Sequence, residues 1–212
     1  MNITIIGAGN MGRGIATRFV SGGHNVTLMD QDDSKAAALA QQLRSAAKSG
    51  AKVTSAPSGS AIHADVVVLA VYYPVVASVI KQYSKQLDGK IVVDITNTLN
   101  DTFTEPRFEN TSGAEEIARL LPNSKVLKAF NTTFAGTLVA GQVGGQPLDV
   151  FIAGDDASAK ALLANLAQSS GLHPIDAGPL RRARQLEGIG LLHITLQGTL
   201  GTNWMSAVKF LS

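Results

Sequence analysis

The chain has no cysteine among its 212 residues, which excludes disulfides, thiolate nucleophiles and thiolate metal sites. That absence fits a reducing compartment, and a cytoplasmic location is the expectation. An excess of charge is lacking too. Lysine and arginine number 18 against 16 acidic side chains, and a formal net charge of +2 gives no reason to expect a nucleic acid or an acidic membrane as partner. The opening residues carry no basic stretch of the kind that begins a secretory signal. Two uncharged runs fail as membrane spans: residues 66–80 are too short and contain Pro74, and residues 188–208 are diluted by glycines, His193, Thr195, Gln197 and Asn203. The histidines, at 24, 63, 173 and 193, have no metal-ligand spacing, and no Ser–His–Asp order can be argued. No metal ligand and no catalytic residue is assigned. A lone His193 on an apolar helix reads as a hydrogen-bonded core residue.

What is present is an alternation of apolar strands and helical patterns. Strand-like runs cover residues 2–6, 25–29, 52–54, 65–71, 90–95, 125–130, 148–153 and 173–175, with helical patterns over 11–20, 34–49, 75–86, 114–121 and 157–171. The expected fold class is therefore α/β, a Rossmann-type doubly wound and mostly parallel sheet. It should occupy residues 1–178, followed by one long helix in residues 179–212 that Gly198 and Gly201 interrupt. Residues 66–71 are apolar throughout, as befits a central parallel strand. Residues 97–112 should cover the sheet's carboxyl edge, and residues 141–147 read as a flexible connector.

The most informative stretch is residues 2–12. A short strand runs into Gly7-Ala8-Gly9-Asn10-Met11-Gly12, and a helix pattern follows at once. G-x-G-x-x-G between a strand and a helix is the dinucleotide-binding turn: the first glycine permits the bend, the second lets backbone approach a pyrophosphate, and the third lets helix and strand pack closely. The helix N-terminus then points free N–H groups at the phosphates. At the end of the second strand stands Asp30, where an acidic residue bonds the adenosine ribose. A carboxylate there repels a 2′-phosphate by about 4 kcal/mol per unit charge at roughly 4 Å and an effective dielectric of 20. Asp32 and Asp33 add negative charge but sit where helix caps belong, and Lys35 and Arg13 offset it in part. Locally the residues favour NAD over NADP.

Ligands of such sheets lie beyond the carboxyl ends of the strands. Those ends supply Ala70, Val71 and Tyr72, then Thr96 and Asn97, then Asn131. Val71 and Tyr72 are candidates to pack on a nicotinamide ring, and Thr96, Asn97 and Asn131 to hydrogen-bond its amide or an acceptor. Turn formation and helix capping would explain the polar three equally well. Asp94, inside an apolar strand, reads as a hydrogen-bonded structural group, and Tyr72 and Tyr73 as ring-packing groups.

These segments carry a resemblance. The chain resembles the family of coenzyme F420-dependent NADP reductases through Gly7–Gly12, Val93-Asp94-Ile95-Thr96-Asn97, Val126-Leu127-Lys128-Ala129-Phe130-Asn131-Thr132, Phe151-Ile152-Ala153-Gly154-Asp155-Asp156 and Asp176-Ala177-Gly178-Pro179-Leu180. The resemblance implies an NAD(P)H-dependent oxidoreductase that moves a hydride between the nicotinamide and a deazaflavin (coenzyme F420), a flavin or a similar acceptor, usually as a homodimer. It points to NADP, yet the serine and arginine residues of NADP-preferring members are replaced here by Asp30, Gln31 and Asp32, with Lys35 the remaining family-like cation. The cofactor therefore stands as NADP or NAD, with NADH expected to be at least as good a donor. Cofactor-binding residues are expected at Gly7, Ala8, Gly9, Asn10, Met11, Gly12, Asp30, Gln31, Lys35, Ala70, Val71, Tyr72, Thr96, Asn97 and Asn131. Two other readings stay open: a small carbonyl or imine reductase of the hydroxyacid dehydrogenase or pyrroline-carboxylate reductase type, and a non-catalytic NAD(P)-binding redox sensor.

Arg181, Arg182 and Arg184 enter the final helix as a basic cluster. They read either as a clamp for an anionic acceptor tail or as a solvated helix start with an Arg184–Glu187 pair. The helix itself is apolar on more than one side, through Leu191, Leu192, Ile194, Leu196, Leu200, Trp204, Met205, Val208 and Phe210. It is expected to contribute to the acceptor site and to a dimer interface.

Overall fold

In the computed structural model, which describes residues 1–211 apart from Ala46, Lys48 and Ser49, strands and helices alternate for most of the chain. In order they are β1 (Asn2–Ile6), α1 (Asn10–Ser21), β2 (Asn25–Met29), α2 (Asp33–Arg44), β3 (Val53–Ser55), β4 (Val66–Leu69), α3 (Tyr73–Leu87), β5 (Ile91–Asp94), α4 (Gly113–Leu120) and β6 (Lys125–Lys128). There follow α5 (Ala135–Ala140), β7 (Gln142–Val143), β8 (Gln146–Pro147), β9 (Asp149–Gly154), α6 (Ala157–Ser169), β10 (His173–Gly178), a 3-10 turn (Leu180–Arg182), α7 (Ala183–Thr195) and α8 (Gln197–Leu200).

Eight strands form one sheet in the order β10-β9-β6-β5-β4-β1-β2-β3. The pairings from β3 across to β6 are all parallel, whereas β9 runs antiparallel to β6 and carries β10 parallel beside it. The first six strands thus follow the 3-2-1-4-5-6 order of a doubly wound Rossmann sheet. β4 shows why an unbroken apolar run becomes a central strand. Val66 and Val68 enter the core beneath α1, α2 and α6, while Val67 and Leu69 enter the core beneath α3 and α4. Side chains alternate across a strand, and helices cover both faces.

Helix starts follow local chemistry. Asp32 accepts from the Ser34 N–H at α2, Ser112 from Glu115 N–H at α4, and Asp156 from Ala159 N–H at α6. α1, like α3 and α7, has no side-chain cap and no acidic residue in its first turn. Its first intrahelical bond runs from Arg13 N–H to Gly9 O, so the earlier N–H groups have no helical partner.

The structure corrects four expectations. The helix expected over 34–49 stops at Arg44, and Ala46, Lys48 and Ser49 of that expectation lie outside the described residues. The connector at 141–147 is a hairpin, with Gly144 and Gly145 both at positive φ as a two-residue type I′ turn requires. A further helix, α5, packs on α1 where Gly14 admits it; a Cβ there would stand 2.8 Å from the Leu138 Cβ. Finally, the long C-terminal helix breaks at Leu196 and ends at Gly201, whose φ of 61° makes it the stop signal.

After Gly201 the chain turns back as a tail, with Asn203 and Trp204 at φ 48° and 62°. His193 holds one end. Its Nδ1 lies 3.2 Å from the Thr132 carbonyl, which can only accept, so Nδ1 carries the proton and Nε2 accepts from the Ser206 hydroxyl at 2.8 Å. Gln197 Nε2 donates to both His193 O and Ser206 Oγ. Buried Asp149 holds the other end, accepting from Lys209 Nζ at 2.6 Å and Phe210 N–H at 2.8 Å. Burial pushes the His193 pKa down despite its bond to Thr132. For Asp149, burial acts to raise the pKa, but the bonds from Lys209, Phe210 N–H and His173 outweigh it and hold the carboxyl below its ordinary value.

Both groups therefore have folded pKa values below the unfolded ones, so each contributes most above its unfolded value and loses that contribution as pH falls through the folded one. His193 begins to weaken below its unfolded value of 6.5, and Asp149 below 3.8. Trp204 is the one tryptophan in the sequence. Its emission should shift in two steps on acidification, before the far-ultraviolet dichroism changes, and Asp149→Asn should remove the lower step. An emission spectrum constant down to global unfolding would contradict this anchoring.

Candidate active site at the strand tips

The three glycines of the turn differ in what surrounds them. Gly7 has φ 110°, donates to Met29 O at 2.7 Å, and a Cβ on it would lie 2.2 Å from Ala70 O. A Cβ on Gly12 would lie 2.0 Å from Gly7 O. Those two glycines are required by the packing of β1, β4 and α1. Gly9 has an ordinary φ of −75°, and a Cβ there meets nothing within 4 Å. Packing does not explain the missing side chain at Gly9. Its absence leaves open space beside the uncapped N–H groups of α1, of the kind a pyrophosphate occupies in glycine-rich turns of this type.

From Gly9 a cleft of about 400 Å³ extends over the carboxyl ends of β4, β5 and β6. Gly9, Asn10, Met11, Ala70, Val71, Tyr72, Thr96, Asn97 and Asn131 line it together, as do Tyr73, Phe103, Phe134, Ile194 and Trp204. Gly7 and Gly12 lie beneath the turn. Ala8 and Asp30 are joined by a hydrogen bond of 2.6 Å at the adjoining β2 end, with Gln31 and Lys35 exposed beyond. Tyr72 stands at the cleft mouth, 82% exposed. Residues 97–112 do reach the cleft, through Leu99 and Phe103.

The polar floor is held from below and behind. Asn131 Nδ2 donates to Asn97 Oδ1 at 2.9 Å and to Leu186 O of α7 at 2.7 Å, while Asn97 Nδ2 donates to Asn131 O at 2.9 Å. α7 approaches closely at Gly190, where a Cβ would lie 2.3 Å from Asn97 Oδ1. Phe130, just before Asn131, sits at φ 63° although it is bulky and buried. Two buried polar atoms on this floor, Thr96 Oγ1 and Asn131 Oδ1, have no partner. Native interiors seldom leave such atoms unpaired.

Under the floor lies a fully buried ammonium, Lys128 Nζ. It donates to Asp94 Oδ2 at 2.7 Å, Glu187 Oε1 at 2.7 Å and Thr96 O at 2.5 Å, which uses all three of its protons. Glu187 also accepts from the Thr98 hydroxyl and from Gly113 N–H at the start of α4, and Asp94 Oδ1 accepts from Thr96 N–H. Burial works to lower the lysine pKa, but the flanking Asp94 and Glu187 carboxylates outweigh it and hold it above the ordinary value. The surplus negative charge meets the positive end of α4.

This network corrects the expected Arg184–Glu187 pair. Glu187 faces inward, and Arg184 instead grips Glu115 at 2.9 and 2.6 Å. Arg181 and Arg182 are exposed, and none of the three arginines lines the cleft. Lys128, Glu187, Phe103 and Phe134 were not anticipated as site residues, whereas Trp204 lies in the segment expected to reach the acceptor site. A lone lysine in one apolar strand and a lone aspartate in another was the available signal for the first of them.

A doubly wound sheet with a glycine-rich turn at its switch point places the chain among the Rossmann-type proteins. Residues 2–98 match the family described as NADP oxidoreductase, coenzyme F420-dependent. The chain is 31% identical over 209 residues to the F420-dependent NADP reductase of Methanocaldococcus jannaschii, covering 92% of each. It is 33% identical over 189 residues to Metalloreductase STEAP3 of Rattus norvegicus, covering 89% of this chain but only 36% of that much longer relative. A solved structure of a provisional F420-dependent NADP-reductase from Arthrobacter sp. FB24 superposes with a TM-score of 0.82 at 32% identity, over 99% of both chains. This chain belongs to the coenzyme F420-dependent NADP oxidoreductase family and is an oxidoreductase. Among the described residues, no helix is long and apolar enough to cross a membrane.

Replacing Lys128 with methionine should leave two carboxylates facing each other in a dry interior, at a cost of about 3–5 kcal/mol. Urea unfolding of Lys128→Met measures this; a loss under about 1 kcal/mol would mean the triad does not hold the floor.

Proposed function

We propose that this chain moves a hydride between a nicotinamide dinucleotide and a flat redox ring of the deazaflavin or flavin kind. Residues 1–178 bind the dinucleotide and residues 179–212 complete the acceptor side. The observation that carries the reading is the composition of the cleft. It has aromatic and aliphatic walls and an amide floor, and its lining holds no histidine, carboxylate, lysine or arginine. Of its two phenols, Tyr73 is packed edge-on against Phe108, and its pKa is raised by burial and by the charges of Glu116, Asp94 and Glu187, which makes it a poor proton donor.

A reduction of a ketone or imine needs a positioned acid; transfer between two carrier rings needs alignment and a dry contact, with the cofactors supplying the chemistry. The chain's part is to grip the pyrophosphate at Gly9 and the α1 N-terminus. Thr96 and Asn131 line the floor on which a carboxamide or a ring edge would rest, and Phe134 and Trp204 provide the wall against which an acceptor ring is pressed. Trp204 meets Phe134 edge-on at 5.0 Å, and Phe134 lies over the His193 ring at 4.1 Å, so the wall is backed by the His193 ring. A homodimer, acting in the cytoplasm, is part of the proposal. Leu192, Leu196 and Leu200 remain exposed along one line of α7 and α8 and would be covered by a second copy, to be read by sedimentation against the 22.1 kDa monomer.

Loss of reduced-nicotinamide absorbance on adding a deazaflavin or FMN, and not on adding ketones or imines, is the expected result. Binding without turnover on any acceptor would overturn the enzymatic reading. Gly9→Val should abolish dinucleotide binding while leaving thermal stability near wild type. Gly12→Ala, which drives a Cβ into the Gly7 carbonyl, should cost about 3 kcal/mol of stability.

A further inference from the structure

The family's description names NADP, and the adenosine end of this chain's site does not fit a 2′-phosphate. The β1–β2 register sets Ile6 beside Met29, which brings Asp30 against the glycine turn. Its carboxylate is fixed at both oxygens: Oδ2 accepts from Ala8 N–H at 2.6 Å and Oδ1 from Asp32 N–H at 2.9 Å. Those bonds use two of the roughly four lone-pair directions of a carboxylate. The remaining directions suit the paired hydroxyls of a ribose, which the acidic residue at the end of the second strand bonds in NAD sites. They offer nothing to a phosphate, and the carboxylate cannot swing aside without giving up both N–H bonds.

Among the described residues, the surroundings supply no compensating cradle. Asp32 is committed as the α2 N-cap, accepting from the Ser34 N–H at 3.0 Å and its hydroxyl at 2.5 Å. It therefore occupies the helix terminus that a phosphate would seek. Lys35 lies 3.9 Å from Asp32, both side chains being about half exposed or more. Asp33 accepts from Ser58 N–H at 2.9 Å. Arg13 lies on the exposed side of α1, one residue beyond Gly12. Three carboxylates thus stand against two cations, and the carboxylate nearest the turn is the one held rigid.

We propose that Asp30 makes this chain select dinucleotides without a 2′-phosphate, binding NADH and NAD⁺ in preference to NADPH and NADP⁺. This rests on the reading of the glycine turn as a dinucleotide site. The test uses fragments that carry the adenosine end alone, ADP-ribose and 2′-phospho-ADP-ribose, titrated into the full chain by calorimetry. ADP-ribose should bind at least tenfold more tightly, and Asp30→Asn, which keeps the shape and removes the charge, should shrink that ratio at least fivefold. A wild-type ratio under tenfold, or a ratio unmoved in Asp30→Asn, overturns the proposal while leaving the dinucleotide site in place. No heat with either fragment overturns both.

Discussion

The Lys128 ammonium, buried between Asp94 and Glu187, is the constraint on which the rest of the site depends. It ties β6 to β5 and both to α7, and through Gly113 it ties them to the start of α4. A buried ion pair contributes little net stability compared with an apolar substitute, because desolvation opposes the attraction. Its consequence is uniqueness: any shift of α7 against the sheet would strand a charge in the interior. Thr96, Asn97 and Asn131 rest on that fixed arrangement, so the floor of the cleft inherits its precision from a group that never touches the cleft.

Some stability has been given up around the cleft. Phe103 and Trp204 line the cleft at positive φ, and Phe130 precedes Asn131 at positive φ. Two buried polar atoms on the floor are unpaired, and the first turn of α1 has no cap. Strained backbone and unsatisfied donors or acceptors persist only where surrounding packing enforces them, and they gather at functional sites. Thr96 Oγ1 and Asn131 Oδ1 lie at the switch point of a doubly wound sheet, where ligands of this architecture lie, whereas the unpaired Arg18 Nε, Thr111 Oγ1 and Ser170 Oγ lie outside the cleft lining. The core beneath shows the opposite pattern, with β4 wholly buried and apolar on both faces.

Family membership and local chemistry answer different questions. A 31% identity spread over 92% of an F420-dependent NADP reductase establishes the scaffold and the family. The choice between two dinucleotides that differ by one phosphate is made by a few side chains at a single loop. A fold tolerates exchange at such positions because they carry no core packing. Asp30 belongs to that loop, and its partners are backbone N–H groups that any neighbouring sequence would supply.

What the sequence by itself determined was whatever nearest-neighbour chemistry decides. β1 and β2 begin and end where their apolar runs do, and Asp32 caps the helix it precedes, because strand burial and capping read only the residues alongside. The alternation of strands and helices and the glycine turn were legible for the same reason, while the order of the strands in the sheet was not. Tertiary structure alone decided that Arg184 pairs with Glu115 and leaves Glu187 to Lys128, since both choices satisfy the helix and only the approach of α4 and the sheet separates them. It likewise decided that the last helix stops at Gly201 and that Trp204 folds back against Phe134. A glycine can end a helix or merely loosen it, and here the outcome was set by Asp149 and Ser206, partners far along the chain or across the turn that no local pattern announces.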